Sequence, residues 1–131
     1  MTANEITANL LIEIPKRFPG IRVWRNNTGA GAGISTVKQA IAAIRENRTA
    51  DAIRLLSSRP IRFGIVGQAD ITGIVGPWGR RLEIEVKTGK DKMSDEQRAF
   101  QQMILSAGGI YLVAVDVEAT LQRMGIEAAM L

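Results

Sequence analysis

The sequence predicts an α/β fold in which a mixed β-sheet is flanked by helices, with a small helical insertion between the first and second strands. Two segments, 70–75 and 80–87, are strand candidates on either side of a Gly-Pro-Trp-Gly turn, which is typical of a hairpin. A helical pattern over 94–107 then leads to an apolar segment at 110–115. Because a strand–helix–strand crossover joins parallel strands, the hairpin and the crossover together predict a mixed sheet.

The first element is a predicted helix over about 3–17. Thr2 and Glu5 have the spacing of a capping box, which favours a helix start at this point. Pro19 and Gly20 end the pattern, as chain breakers do. The apolar residues that recur every fourth position and form the buried stripe are Ile6, Leu10, Ile14 and Phe18.

The next segment, 21–25, alternates apolar and basic residues and predicts a half-buried strand. We expect both of its arginines, Arg22 and Arg25, to lie on one face. A glycine-rich loop over 29–33 follows, and such loops let a backbone approach a phosphate closely. The dinucleotide fingerprint GxGxxG, however, requires glycine where Ile34 stands, so the loop does not match that motif.

Residues 35–57 predict two short helices inside an insertion at about 31–62. Ser35 or Thr36 is expected to cap the first helix and Thr49 the second. The residues predicted to face inward are Val37, Ile41, Ile44, Ile53 and Leu56. The segment is also the most basic part of the chain, with Lys38, Arg45, Arg48, Arg54, Arg59 and Arg62.

The last third of the chain predicts a helix, a strand and a second helix. Ser94 and Gln97 form another capping box, and two glycines at 108–109 end the helix that follows. Segment 110–115 is nearly all apolar, as expected of a strand buried on both faces. The predicted inner face of the first helix is Phe100, Met103, Ile104 and Ala107, and that of the second is Val117, Leu121 and Met124.

Composition restricts the chemistry that this chain can perform. Its 131 residues suit one domain, and its apolar runs are too short to span a membrane. It contains no cysteine and no histidine, which excludes disulfides, thiolate zinc sites and histidine-based catalysis, and fits a cytoplasmic protein. A net charge of +4, with a basic first half and an acidic tail, suits a polyanionic partner or a solvated surface alone.

Three charged residues meet in the predicted hairpin. Alternation places Glu85 and Lys87 on one face of the second strand, and Asp70 comes from the neighbouring strand. Two carboxylates on adjacent strands are the oxygen ligands that Mg²⁺ accepts, and a lysine beside them can orient water or stabilise charge on a phosphate. The alternative is a cross-strand salt bridge between Glu85 and Lys87 on a wet sheet face, with Asp70 starting a turn.

Three motifs resemble the PD-(D/E)xK nuclease superfamily: Gly67-Gln68-Ala69-Asp70, then Leu82 to Thr88, and Ser94-Asp95-Glu96-Gln97. Within that superfamily, the chain is similar to the virus-type replication–repair nucleases (VRR-NUC). The features that carry this second resemblance are the helix with Glu5, the segment from Trp24 to Gly29, and Gly108-Gly109-Ile110-Tyr111.

The resemblance implies a restriction-endonuclease-like fold in a single nuclease domain over 1–131. Asp70, Glu85 and the backbone carbonyl of Val86 would hold Mg²⁺ or Mn²⁺. Lys87 would serve the attacking water, Gln97 would come from the conserved-motif helix, and Glu5 would add an acidic contact to metal or water. Ala69 stands where the superfamily motif has proline. Glu83 also lies on the active face, but the Glu-x-Lys spacing selects Glu85.

The resemblance further implies a divalent-metal-dependent endodeoxyribonuclease that selects DNA by its structure. Small relatives resemble Holliday-junction resolvases, which act as homodimers on branched DNA. The residues expected near phosphates are Arg22, Arg25, Asn26, Asn27, Lys90 and Lys92. The alternatives are a non-catalytic DNA-binding module that retains the fold and a structural protein with a solvated acidic face.

Overall fold

The computed structural model describes residues 1–26, 29–58 and 61–129, with the backbone alone at 29–31, 61–63 and 128. In chain order the helices and strands are α1 (Ala3–Arg17), β1 (Ile21–Arg25), β2 (Gly29–Gly31), α2 (Ile34–Arg45), α3 (Thr49–Ser57), β3 (Ile61–Phe63), β4 (Ile71–Val75), β5 (Arg80–Val86), α4 (Asp95–Ser106), β6 (Ile110–Ala114) and α5 (Val117–Ala129).

The chain divides into two compact units, one of which is the helical insertion. The first combines Met1–Asn27 with Ile65–Leu131, and the second is the insertion, Thr28–Gly64. The insertion forms a compact unit because its two helices pack together and the two short strands at its ends pair with each other. It spans slightly more of the chain than the predicted 31–62.

The first unit is built on a four-stranded sheet with the order β1-β4-β5-β6. Neighbouring strands run antiparallel except β5 and β6, which are parallel because α4 crosses between them. This mixed sheet, with helices packed on it and a helical insertion between its first two strands, confirms the predicted α/β fold class. The arrangement is consistent with an α/β nuclease-like fold.

One face of the sheet carries the main hydrophobic core. The predicted stripe of α1 is buried against it, since Ile6, Leu10 and Ile14 are each no more than 2% exposed. Leu121 and Met124 of α5 join the same cluster. The capping box predicted at Thr2 and Glu5, which fixes the start of α1, is also present.

The other face is covered at the β6 side by α4. Phe100 and Ile104 pack with Ala69 and Tyr111 in a second cluster. Met103 and Ala107, which the sequence placed on the inner face of this helix, are exposed instead. Burial follows the single i, i+4 row that meets β6, and the neighbouring row points away from the sheet.

The two arginines of β1 lie on opposite faces, so the prediction that they share one was wrong. They are three positions apart, and side chains alternate along a strand. Ile21 and Val23 face the core, and Arg25 shares their side, with its guanidinium 3.5 Å from the Asn4 side chain of α1. Arg22 projects from the other face.

The ends of the insertion differ from the sequence prediction. Gly29–Gly31, predicted as part of a loop, pairs as strand β2 with β3. Helix α2 begins at Ile34, and its N-cap is Gly33 rather than Ser35 or Thr36. The N-cap of α3 is Arg48 rather than Thr49. Neither cap makes a side-chain hydrogen bond, so the predicted capping roles of Ser35, Thr36 and Thr49 were wrong.

The predicted inner faces of the two insertion helices were also wrong. Their contact is made by Ala40, Ala43 and Ala52, all nearly inaccessible, with Leu55 packed against them. Small side chains let two short helices approach closely, and this outweighs the larger apolar residues. The residues predicted inward but found at least 37% exposed are Val37, Ile41, Ile44, Ile53 and Leu56.

None of the helices in the described parts of the chain is long and apolar enough to cross a membrane.

Candidate active site

Asp70, Glu85 and Lys87 meet at one end of the sheet. Asp70 immediately precedes β4, Glu85 is near the end of β5, and Lys87 follows it. They line a pocket of about 280 Å³ together with Val86. Arg25, Asn26 and three residues from the first turns of α1 complete its wall.

Glu85 is a buried carboxylate whose two oxygens have different hydrogen-bond partners. Its side chain is 4% exposed, and Oε1 accepts a hydrogen bond from Gln97 Nε2 at 2.6 Å, with Lys87 Nζ at 3.3 Å. Its Oε2 atom accepts no hydrogen bond from any residue that the structure describes. Burial, and then the charge of Asp70, raises the pKa of Glu85 to about 7 against the opposing effect of Lys87. A negative charge on Glu85 is therefore costly in the absence of a cation, and a bound cation would lower that cost.

Asp70 is fixed beside Glu85 by the backbone. Its Oδ2 accepts a hydrogen bond from the Val86 N–H at 2.8 Å, and its carbonyl accepts one from the Asn26 N–H at 2.8 Å. The segment before it passes close to α4 at Gly67, where an added Cβ would lie 2.3 Å from the Glu96 carbonyl oxygen. Only glycine permits this approach, which brings the aspartate strand and α4 to the same site.

Gln97 links the start of α4 to the carboxylate site. Its Oε1 accepts hydrogen bonds from the Ser94 N–H at 2.9 Å and from Lys87 Nζ at 3.0 Å. Because these two donors fix the amide orientation, its Nε2 is directed at Glu85. The capping box predicted from sequence thus also holds the lysine and the glutamate in place.

Glu83, the other possible ligand, belongs to a different network. It is fully buried, and Arg81 Nε donates to its Oε1 at 2.6 Å. Thr72 Oγ1 lies 3.1 Å from both of its oxygens. Burial raises the pKa of Glu83, and the bonds from Arg81 and Thr72 oppose that rise. Since both oxygens already have donors, the geometry favours Glu85 over Glu83 as the ligand.

Asn26 connects the hydrogen-bond network of Glu83 to the segment that leads to Asp70. Its Nδ2 donates to the Ala69 carbonyl at 2.8 Å and also to Thr72 Oγ1. It therefore braces the chain immediately before Asp70, a positioning role besides the phosphate contact that the sequence predicted.

Thr72 and Tyr111 are site residues to which the sequence analysis gave no role. In the strand register Glu83 of β5 pairs with Thr72 of β4 on one side and with Tyr111 of β6 on the other. The Tyr111 hydroxyl is buried and has no hydrogen-bond partner among the residues that the structure describes. Burial raises its pKa, and the charge of Glu85 adds to the effect. Only the cross-strand register, which the sequence does not give directly, identifies both residues.

We expect Thr72→Val to lower the free energy of unfolding by about 1–3 kcal/mol, because a buried charged oxygen of Glu83 loses a donor. Chemical denaturation at neutral pH measures this change. The same substitution in a Glu83→Gln background is the control. An equal loss in both backgrounds would show that the hydrogen bond to Glu83 is not the cause.

Glu5 caps its helix in the structure. Its Oε2 accepts the Thr2 N–H at 2.6 Å, and this bond, followed by that with the Thr2 side chain, lowers the pKa of Glu5. The side chain is exposed. The structure thus accounts for Glu5 as a cap, and its contact with metal or water stays a prediction.

The predicted phosphate-binding residues fall into separate groups. Arg25 and Asn26 line the pocket. Lys90 and Lys92 are exposed in the loop after β5, and Arg22 is exposed on the opposite face of β1 from Arg25. Asn27 lies outside the described residues.

The oxygen ligands in the pocket fit a hard divalent cation, although they are few. Across residues 1–26, 29–58 and 61–129 no three acidic, histidine or cysteine side chains converge on one point. Asp70 and Glu85 supply two carboxylates, Val86 lines the same pocket, and Glu85 Oε2 is a buried oxygen without a donor among the described residues. Mg²⁺ and Mn²⁺ accept such oxygen ligands and complete their shells with water.

Comparison with protein-family models gives no match for this chain, and comparison with curated proteins gives none either. The similarity to VRR-NUC nucleases therefore remains a prediction from the motifs.

Proposed function

We propose that this protein is a divalent-metal-dependent endodeoxyribonuclease of the VRR-NUC type that hydrolyses phosphodiester bonds in DNA. The observation that carries the proposal is the Oε2 atom of Glu85, a buried carboxylate oxygen that has no donor among the described residues, beside the Asp70 carboxylate. A buried charge of this kind is costly unless it is neutralised, and a site that accepts a cation explains why it is retained.

Asp70, Glu85 and the Val86 carbonyl would hold Mg²⁺ or Mn²⁺. Such an ion, when bound, polarises a phosphate and lowers the pKa of a coordinated water. The chain contributes the rest of the chemistry through fixed side chains. Gln97 directs its amide N–H at Glu85, which leaves Oε2 as the ligating atom, and the Val86 N–H orients the Asp70 carboxylate.

Lys87 is the residue that would stabilise negative charge in the proposed reaction. Its ammonium is held by Gln97 Oε1 at 3.0 Å and by Glu85 Oε1 at 3.3 Å, and the side chain is 16% exposed. A cation fixed before the substrate arrives can orient the attacking water and stabilise the charge that develops on the phosphate, at little cost in reorganisation. This role needs no histidine, which the chain lacks.

DNA is the expected substrate because cationic side chains lie in the wall of the acidic pocket and in the loop that follows β5. Arg25 lies in its wall, and Lys90 and Lys92 follow β5 in an exposed loop. Contacts of this type hold the phosphate backbone without reading sequence, which suits selection by DNA structure. We further propose that the protein acts as a homodimer, so that two sites meet opposed strands of a branched substrate.

Cleavage assays with and without metal test this proposal. We expect the purified protein to cut branched DNA in Mg²⁺ or Mn²⁺ and to lose all cutting in EDTA, with recovery when the ion is restored. A linear duplex of the same sequence is the matched substrate and should be cut more slowly. Salt-sensitive DNA binding without turnover in any divalent ion would instead support a non-catalytic DNA-binding module.

A further inference from the structure

An exposed tryptophan lies on the same sheet face as the carboxylate site. Val23 packs into the main core, so Trp24, the next residue of β1, projects from the opposite face. In the register Trp24 pairs with Thr72, and Thr72 pairs with Glu83, to which its hydroxyl is bonded. Trp24 therefore shares the face of Glu83 and Glu85, and it is 49% exposed.

Helix α4 covers only part of this face. Its buried residues Phe100 and Ile104 pack with Tyr111 of β6, at the far side of the sheet from β1. On the β1 side, Ile74 of β4 is 44% exposed, as is about half of Trp24. The β1 side of the face that carries Glu85 is thus accessible.

An arginine lies on the same sheet face as the exposed tryptophan. Arg22 is two positions before Trp24 on β1, so the two side chains project from one face, and Arg22 is exposed. Ile74, the partner of Arg22 on β4, is an exposed apolar residue of the same face. An exposed aromatic ring with a cation beside it is surface chemistry that binds single-stranded nucleic acid, through base stacking and phosphate contacts.

We infer that Trp24 stacks on an unpaired base of the DNA substrate, while Arg22 contacts its phosphates. Two strand spacings and two residue rises place the Trp24 Cα roughly 12 Å from the Glu85 Cα, so this base belongs to a nucleotide near the cleaved phosphate. The inference rests on the proposed nuclease function and narrows its substrate class. Bases in an intact duplex are already stacked, so the preferred DNA has an unpaired segment at the cleavage site.

Tryptophan fluorescence provides a test that does not require turnover. The chain has two tryptophans, so Trp78→Phe leaves Trp24 as the single reporter. In EDTA, oligothymidylate should quench the fluorescence of Trp78→Phe to saturation, and a blunt duplex should have little effect. Trp24→Phe, which retains only Trp78, should show no quenching. Equal quenching by duplex, or none by oligothymidylate, would overturn the inference.

Binding affinities provide the second arm. Trp24→Ala should weaken oligothymidylate binding about 5- to 100-fold, the range that loss of one base–aromatic stack produces. Trp24→Phe should lose less, because a ring remains. The matched control is Trp78→Ala, which removes a more exposed ring, 85% accessible, from the turn at the other end of the β4–β5 hairpin. It should bind as wild type does, and an equal loss there would overturn the inference.

The two proposals fail separately in these experiments. Stacking on Trp24 in a protein that cuts no DNA would leave this inference standing and overturn the nuclease proposal. Metal-dependent cutting that Trp24→Ala does not change, on substrates with and without an unpaired segment, would do the reverse.

Discussion

Glu85→Gln is expected to abolish metal-dependent cutting and yet to stabilise the metal-free protein at pH 8. Glu85 is buried with one oxygen lacking a donor, and its pKa is raised from 4.5 to about 7. The stability that such a group contributes is fully present below the unfolded pKa and is lost as pH rises through the folded pKa. At pH 8 the charged wild-type carboxylate therefore destabilises the fold, and a neutral amide does not.

The expected gain at pH 8 is about 3 kcal/mol in the free energy of unfolding, from the size of the pKa shift. The gain should shrink toward zero below pH 4.5, where the wild-type carboxyl is protonated in both states. Chemical denaturation in EDTA at several pH values measures it. Glu96→Gln, at an exposed position of α4, is the control and should leave stability and cutting unchanged. A Glu85→Gln variant that is less stable at pH 8 would contradict the assignment.

Lys87→Ala is expected to slow DNA cutting by about 10²–10³-fold, the usual cost of removing one preorganised electrostatic group. Its ammonium is held at a fixed point by Gln97 and Glu85, so the water that enters in its place does not supply the same charge. Single-turnover cleavage with saturating protein separates this loss from any change in DNA binding.

Lys16→Ala is the matched control for this experiment. Lys16 is an exposed lysine of α1 that pairs with Glu13, away from the pocket residues. It should cut at the wild-type rate. Lys87→Ala protein that cuts at an undiminished rate would show that the Glu-x-Lys motif does not form the active site.

Much of the fold follows from local sequence patterns. The stripe of Ile6, Leu10 and Ile14 identifies α1 because its four-residue spacing matches the helix period, and the structure buries all three. The alternation in β5 correctly places Glu83 and Glu85 on one face. These predictions succeed because each depends on residues that are close together in the chain.

Predictions failed where distant contacts decide which residues are buried. The insertion helices meet through Ala40, Ala43 and Ala52, so larger residues such as Ile53 remain exposed. Hydrophobicity alone favours the larger residues as the inner face. The geometry of helix packing decides otherwise, and the pattern within each helix does not contain it.

The candidate site shows the same limit. The motifs identify Asp70, Glu85 and Lys87, and the structure brings these three together. They do not distinguish Glu83 from Glu85 by hydrogen bonding, because the donors to Glu83 include Thr72 on another strand. The oxygen of Glu85 without a donor becomes apparent only when its complete surroundings are known.

Manganese binding tests the central claim most directly, because it measures whether Asp70 and Glu85 hold one ion. Titration of the wild-type protein with Mn²⁺, followed by electron paramagnetic resonance without DNA, should show one ion per chain. Affinity should be about tenfold weaker at pH 6 than at pH 8, since Glu85 must lose its proton to bind. The substitution Asp70→Asn or Glu85→Gln should abolish Mn²⁺ binding. Mn²⁺ binding that survives both substitutions, or no binding at pH 8, would contradict the account.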